Sequence, residues 1–274
     1  MSTVRAALES ATQRLSAAGV ASPRVDAELL LAHSLGVGRS RLSTVDDAVP
    51  DDFGWLVERR ANREPLQYIV GRAAFRYVDV AVGPGVFIPR PETELLVDAV
   101  LPELRPGSTV VDLGAGSGAL AVAVAAEVPG TRVYAVDRSA AALGWLHRNA
   151  DGTGVIVVEG DVTDPELLRD LYGQIDVVVS NPPYVPVGTL VEPEVCADPD
   201  DAVFAGPDGL AVIPAVIDRA AQLLRVGGVL AVEHDATHGE TVPALLGRGW
   251  RDVTDHRDLA GRPRYTTAVR AAAR

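Results

Sequence analysis

Two short segments carry residue types suited to chemistry on a nitrogen. The first, Asn181-Pro182-Pro183-Tyr184, concentrates hydrogen-bond acceptors on a stiff backbone. Proline fixes φ at about −65°, and a residue that precedes proline is held extended. Pro182 and Pro183 offer carbonyls without competing N–H groups, Asn181 adds a side-chain carbonyl, and Tyr184 adds a flat ring. Such a site suits a planar NH₂ group. Two acceptors take its two hydrogens, the ring packs on its plane, and the lone pair turns towards an electrophile. Catalytic roles are therefore expected of Asn181, Pro182 and Tyr184, with Pro183 completing the substrate-binding tetrapeptide. The purely structural alternative is an extended turn that leaves a strand.

The second segment is Asp112-Leu113-Gly114-Ala115-Gly116-Ser117-Gly118. Its glycines permit a tight turn and close approach of a ligand to the backbone. The next strand pattern ends at Asp137, where a carboxylate would accept hydrogen bonds from both hydroxyls of a ribose. Asp161, with Val162 beside it, is a candidate to meet an adenine amino group. Asp161 could equally cap a helix that follows Thr163. Loop and acid together point to a nucleoside cofactor but do not separate NAD(H) from S-adenosylmethionine, since the spacing is G-x-G-x-G. The Asn-Pro-Pro-Tyr segment separates them. Amide and aryl-amine nitrogens are weak nucleophiles, whereas a sulfonium methyl is already an activated electrophile. The protein then has mainly to align the two and exclude water. A dehydrogenase would instead need an acid–base side chain beside the nicotinamide.

These segments need elements to hold them. Val4, Leu8, Ala11, Leu15 and Ala18 recur at helical spacing, with Gly19 as a stop. Ser22-Pro23 reads as an N-cap and first helical residue, opening a helix to Gly36. A third helix is predicted over 51–62, with Phe53, Leu56 and Val57 inward. Residues 74–88 alternate like a hairpin. Beyond residue 108, strands TVVDLG, RVYAVD, VIVVEGD, IDVVVSN and GGVLAVEH alternate with helices over 118–128, 139–149, near 165–172 and about 210–224. Two further strands are predicted at 250–256 and 264–270. Near-continuous apolar strands between helices imply a doubly wound α/β domain whose parallel sheet is covered on both faces. The boundaries read as a helical domain over 1–73, a hairpin linker over 74–90 and an α/β domain over 91–274.

Composition removes several other chemistries. All 25 basic residues are arginine, so neither a Schiff-base lysine nor a phosphate-loop lysine exists. A net charge of −12, all of it beyond residue 75, disfavours non-specific nucleic-acid binding. The single cysteine, Cys196, excludes an internal disulfide framework and any multi-thiolate zinc site. No metal is expected. No apolar run is long enough to span a bilayer and no signal peptide is read, so a soluble cytoplasmic chain is expected.

The loop DLGAGSG, Asp137 and NPPY resemble those of class I S-adenosylmethionine-dependent methyltransferases. PLQYIVG (65–71), VFIPRPETELLV (86–97), PEV (193–195), AGPDGL (205–210) and DLAGRPR (258–264) are similar to the HemK/PrmC release-factor glutamine methyltransferases. The resemblance covers most of the chain. It implies a Rossmann-like, mostly parallel seven-stranded sheet and use of S-adenosyl-L-methionine, with S-adenosyl-L-homocysteine as product. It implies methylation of the glutamine side-chain amide in the Gly-Gly-Gln motif of class I peptide release factors. By the same resemblance Gly114, Ala115, Gly116, Ser117, Gly118, Asp137 and Asn181 contact the cofactor, residues 181–184 bind the glutamine, and the helical domain grips the release factor. A monomer is expected. The alternative acceptor is an exocyclic amine of adenine or guanine in nucleic acid. Two departures stand out. Phe75-Arg76-Tyr77 lacks the family's glycine, and the strand ending at Glu233 continues as His234-Asp235-Ala236-Thr237-His238. Arg90 and Glu92 are read as part of a lid over the cofactor, with a helix cap through Thr93 and Glu94 as competitor. Trp55, Trp145 and Trp250 are read as packing residues.

Overall fold

The computed structural model describes residues 4–44 and 48–272. Within it the chain divides into two units, Met1–Arg72 with Val191–Ala197, and Ala73–Leu190 with Asp198–Arg274.

The first unit is built on α1 (Val4–Ala17), α2 (Pro23–Ser34), α3 (Phe53–Ala61) and the short α4 (Leu66–Val70). Leu8, Ala11 and Leu15 of α1 meet Ala27, Leu30 and Leu31 of α2 and Phe53, Leu56 and Val57 of α3 in one apolar core. Pro23 opens α2 as expected, but the Ser22 side chain makes no cap bond; its backbone carbonyl accepts from the Asp26 amide at 2.9 Å. Trp55 corrects the reading of the tryptophans. It is 62 % exposed, because Phe53, Leu56 and Val57 take the inward face of α3, and the Arg59 guanidinium lies over its ring. The segment 191–197 belongs to this unit through Glu194, which pairs with Arg60 at 2.8 Å and with Arg63 at 2.6 Å. These arginines hold the Glu194 carboxyl well below its ordinary range, at about 2. Cys196 sits exposed in the same segment.

The second unit begins with paired strands β1 (Arg72–Phe75) and β2 (Val78–Ala81). Their turn holds Arg76 at φ 51°, a left-handed conformation that glycine adopts without cost. The arginine offsets this by what its other atoms bind. Its guanidinium pairs with Glu127 and Asp98, and its amide donates to Glu94 Oε1 at 3.0 Å. The departure from glycine at this turn thus carries its own compensation.

There follow α5 (Glu94–Val100), β3 (Thr109–Leu113), α6 (Ala119–Glu127), β4 (Arg132–Asp137), α7 (Ala140–Ala150), β5 (Ile156–Glu159) and β6 (Ile175–Ser180). The unit closes with α8 (Asp200–Val203), α9 (Ile213–Leu223), β7 (Leu224–Glu233), α10 (Thr241–Leu245), β8 (Trp250–Arg257) and β9 (Pro263–Arg270). The seven strands β3–β9 form one sheet in the order β5-β4-β3-β6-β7-β9-β8. All neighbours are parallel except β9, which is antiparallel to β7 and β8. This is the doubly wound, mostly parallel α/β fold of class I methyltransferases. Val111, Leu113, Val178, Leu230 and Val232 pack with Ile213, Val216, Ile217 and Ala220 of α9. Their alternate neighbours Val110, Val177 and Val179, which point to the opposite face, are buried as well.

Two predicted helices differ. Helix α9 starts at Ile213 and not near 210, because Pro214 suits the first helical turn, where its missing N–H costs nothing. The segment near 165–172 forms only a 3₁₀ turn at Arg169–Leu171. Asp161 and Asp164 side chains take backbone N–H groups at Thr163 and Glu166, and the buried Arg219 of α9 donates to the carbonyls of Val162 and Asp164. These local bonds satisfy the backbone groups that a helix would use.

Candidate active site

Strand order reverses between β3 and β6, so the carboxyl ends of two neighbouring strands diverge and leave a crevice. Both chemical segments lie there. The glycine loop leaves β3 and the Asn-Pro-Pro-Tyr segment leaves β6, with Asp112 beside Val179 in register. The buried Ser180 hydroxyl donates to the Leu113 carbonyl at 2.6 Å, tying the two strand ends together.

A cavity of about 290 Å³ opens at this point. Gly114, Ala115, Gly116, Ser117, Asp137, Asp161, Val162, Asn181, Pro182 and Pro183 all line it. Gly118 does not reach the lining: it stands at φ 85° as the last residue before α6, where a Cβ would meet Leu146 of α7. Tyr184 is also absent from the lining, because its ring packs on the core and its hydroxyl donates to Glu233 Oε1 at 2.8 Å.

Asp137 is oriented by its backbone. Its Oδ2 accepts from the Gly116 amide at 2.7 Å and its Oδ1 from the Ser139 amide at 2.9 Å. Each oxygen keeps a lone pair for a ligand hydroxyl. Asp161 has a double commitment. Thr163 gives it an amide and a hydroxyl bond, and Arg138 an ion pair at 2.9 Å, so its carboxyl is held down at about 2. It lines the cavity, but as the corner of a turn and not as a helix cap.

The segment after β2 contributes Gly85, Val86, Phe87, Pro89 and Thr93 to the same wall. Arg90 itself points away, pairing with Asp198, while the Ile88 amide donates to the same carboxylate at 3.1 Å. This wall is thus carried by Phe87 and its apolar neighbours, and Arg90 fastens the segment through Asp198. The competing helix cap through Thr93 does not form; the Thr93 side chain makes no cap bond and its hydroxyl accepts from Asn181 Nδ2 at 2.9 Å.

Three supporting residues escaped the sequence reading. Asn149 exchanges hydrogen bonds of 2.8 and 2.9 Å with the Ala81 backbone and donates to the Ser117 carbonyl at 2.8 Å, stapling the glycine loop to β2. Arg219 holds the Val162 turn, as above. Gly209, at φ 77°, lies where a Cβ would strike the Tyr184 carbonyl. Only the AGPDGL string hinted at the last of these. Asp112 is wholly buried and neither oxygen makes a well-formed hydrogen bond; burial, and then the nearby Asp137 charge, push its carboxyl up to about 7. Among the described residues no three His, Cys, Asp or Glu side chains converge on a metal position. His234, which opens the departure after Glu233, is buried and bonded to Thr266 at 3.0 Å.

The residues fit a nucleoside bearing a charged alkyl donor. Above Gly114 and Gly116 nothing stands where a Cβ would be, Asp137 has acceptors to spare, and the lid wall is apolar. Fold and site together define an S-adenosylmethionine-dependent methyltransferase.

Comparison with known proteins agrees. Residues 6–71 match the family model of the PrmC N-terminal domain, and residues 78–195 that of the methyltransferase small domain. A protein named release factor glutamine methyltransferase from Mycolicibacterium smegmatis is 53% identical, covering 99% of both chains. One of the same name from Streptomyces coelicolor is 49% identical, again over 99% of both. A 4-amino-L-phenylalanine/4-methylamino-L-phenylalanine methyltransferase from Streptomyces pristinaespiralis is 42% identical over 89% of this chain and 87% of its own. The chain belongs to the family of release factor glutamine methyltransferases.

Proposed function

We propose that this enzyme methylates the side-chain amide nitrogen of the glutamine in the Gly-Gly-Gln motif of class I peptide release factors. When bound, S-adenosylmethionine supplies a sulfonium methyl that leaves as part of the product amide, with S-adenosylhomocysteine remaining. The chain's own residues do the rest by placement. Gly114 to Ser117 and Asp137 hold the nucleoside, with Asp161 and Val162 beside it. Asn181 Oδ1 and the Pro182 carbonyl accept the two hydrogens of the carboxamide NH₂, and Pro183 keeps the backbone between them rigid. Phe87 and its neighbours keep water out. No strong base is needed before transfer, because the nitrogen attacks with its lone pair while its hydrogens are held; the methylated nitrogen then loses one of those protons to water as the product leaves.

The observation that carries this reading is the shared wall. Asn181 and Pro182 line the same cavity as the glycine loop and Asp137. The helical unit over residues 1–73 serves as the grip on the release factor. Membership of the family and the match of residues 6–71 support that role. The reading takes the enzyme to act as a monomer, in the cytoplasm where release factors work. Among the described residues no helix is long and apolar enough to cross a membrane.

A second reading rests on the Streptomyces pristinaespiralis relative, whose name gives an aryl amine on a free amino acid as acceptor. Transfer of a labelled methyl group decides between them. Purified release factor, its variant with alanine for the motif glutamine, 4-amino-L-phenylalanine, rRNA and DNA are offered in parallel. Label in release factor but not in the alanine variant is expected. Label in the free amino acid or nucleic acid, with none in release factor, would overturn the assignment.

A further inference from the structure

Two strings of the sequence take no part in the proposed chemistry: AGPDGL (205–210), and the run from His234 to His238 that follows Glu233. The fold brings both to the outgoing end of the acceptor segment. The chain leaving Tyr184 is zipped to residues 203–206. The Val185 amide donates to the Val203 carbonyl at 3.0 Å, the Ala205 amide to Val185 at 2.9 Å and the Val187 amide to Gly206 at 2.8 Å. The chain then turns back through Gly209, and Ala211 and Val212 just beyond it line the cavity. At Gly209 the turn approaches the acceptor segment so closely that a Cβ would strike the Tyr184 carbonyl. The same Cβ would also meet Cε1 of His238.

His238 is 7 % exposed and ends a 3₁₀ turn over Ala236–His238. Asp235 sets that turn. Its side chain accepts from the Thr237 amide at 2.9 Å and hydroxyl at 2.7 Å, and its carbonyl accepts from the His238 amide at 2.9 Å. The His238 ring meets the 205–210 turn with Nε2 at 2.9 Å from the Asp208 carbonyl. A carbonyl can only accept, so Nε2 must carry the hydrogen of this bond. Nδ1 is buried and has no hydrogen-bond partner, so the bond to Asp208 is the ring's one polar tie.

We propose that His238 is a positioning residue for methyl transfer, seating the Gly209 turn against the Tyr184 carbonyl. The inference rests on the acceptor role given above to Asn181 and Pro182. Two prolines make the segment stiff but do not say where the stiff piece sits. Its incoming end is fixed by β6, where the Ser180 hydroxyl is bonded to Leu113. At its outgoing end the Tyr184 side chain is held by Glu233, and the Tyr184 backbone rests on Gly209. His238 holds the residue before that glycine. Stiffness then works both ways: a shift of the Gly209 turn displaces Tyr184, and the prolines pass the displacement on to the Pro182 carbonyl and Asn181. A misplacement of about 1 Å at a reacting group can cost on the order of 100-fold in rate.

The test uses the full chain with release factor as substrate, and reads kcat, cofactor Kd and melting temperature together. His238→Leu keeps the bulk and removes the donor, so kcat is expected to fall about tenfold. Cofactor Kd should stay within about threefold, because the glycine loop and Asp137 are untouched. His238→Gln puts an NH₂ where Nε2 stands and should keep kcat within about threefold of wild type. His238→Asn carries its NH₂ only as far as the Nδ1 position, and should fall as far as His238→Leu. A ring with a merely structural role would lower the melting temperature of the variants and leave the kcat of the folded enzyme unchanged. Wild-type kcat in His238→Leu, or equal kcat in His238→Gln and His238→Asn, overturns the proposal. If His238→Leu does not fold, the Gln-to-Asn comparison decides alone. A double variant adds a second check. Gly209→Ala already displaces the turn, so adding His238→Leu should cost less than about threefold more, and a full further tenfold loss overturns the proposal. Asn181→Ala run alongside keeps the two levels apart. Loss of turnover there with wild-type kcat in His238→Leu sinks this inference only, whereas full turnover in Asn181→Ala sinks the acceptor-site reading beneath it.

Discussion

Replacing Asp137 by alanine is expected to weaken cofactor binding roughly 100-fold. The figure follows from what the carboxylate does. Its two oxygens already accept from the amides of Gly116 and Ser139 and have one further acceptor position each for the ribose hydroxyls. A hydrogen bond to a charged acceptor contributes about 1.5–3 kcal/mol. Two of them amount to roughly 3–6 kcal/mol, and water entering the vacated space recovers part of this. A loss of about 3 kcal/mol corresponds to slightly more than 100-fold in Kd. Asp137→Asn should lose at least tenfold, because whichever way its amide turns, an NH₂ confronts either Gly116 N–H or Ser139 N–H. Titration calorimetry of S-adenosylmethionine against the wild type and both variants gives the Kd values. A cofactor analogue without the ribose 2′-hydroxyl separates a ribose contact from loop bracing. The analogue should bind the wild type more weakly than the natural cofactor does, and bind Asp137→Ala no more weakly than the natural cofactor. An equal penalty for the missing hydroxyl in both proteins would refute the ribose assignment.

Three further outcomes are expected. Asn181→Ala should lower kcat by at least about 100-fold while keeping most of the cofactor affinity, read by single-turnover methylation and calorimetry. Gly209→Ala places a methyl group against the Tyr184 carbonyl at a φ of 77°, so it should displace the acceptor segment and cut kcat by about 100-fold; unchanged turnover would show that this packing is not needed. Asp112→Asn tests the buried carboxyl, whose folded pKa of about 7 lies above its ordinary 3.8. Such a group contributes stability that is complete below the unfolded value and lost as pH rises through about 7. The variant should therefore melt above wild type at about pH 8, with the gap closing towards pH 5, and a pH-independent difference would contradict the shift.

The carriers of chemistry were legible because their reasons are local. Prolines at 182 and 183 stiffen the chain wherever they occur, glycines at 114, 116 and 118 permit positive φ, and apolar runs alternating with helical periods announce a parallel sheet. The same local logic misled where a tertiary partner intervened. Residues 165–172 have helical character, but Arg219, far along the chain, takes the carbonyls of Val162 and Asp164 just before them. Trp55 is large and apolar, yet the inward face of α3 was already filled by Phe53, Leu56 and Val57.

What the residues alone determined was the kind of site: a turn able to cradle a nucleoside, an acid after the next strand, and a rigid acceptor segment for an NH₂ group. Its assembly was decided only in three dimensions. Strand order, which no single segment encodes, puts β3 beside β6 and so brings residues 113–117 and 181–183 to one cavity. Burial then sorted side chains that look alike in sequence. Asp161, bonded in its turn, is held down at about 2, while Glu233 and Asp112, cut off from water, are pushed up to about 7. Solvation and hydrogen-bond direction are properties of the surroundings of a group, and those surroundings come from chain segments far away in sequence.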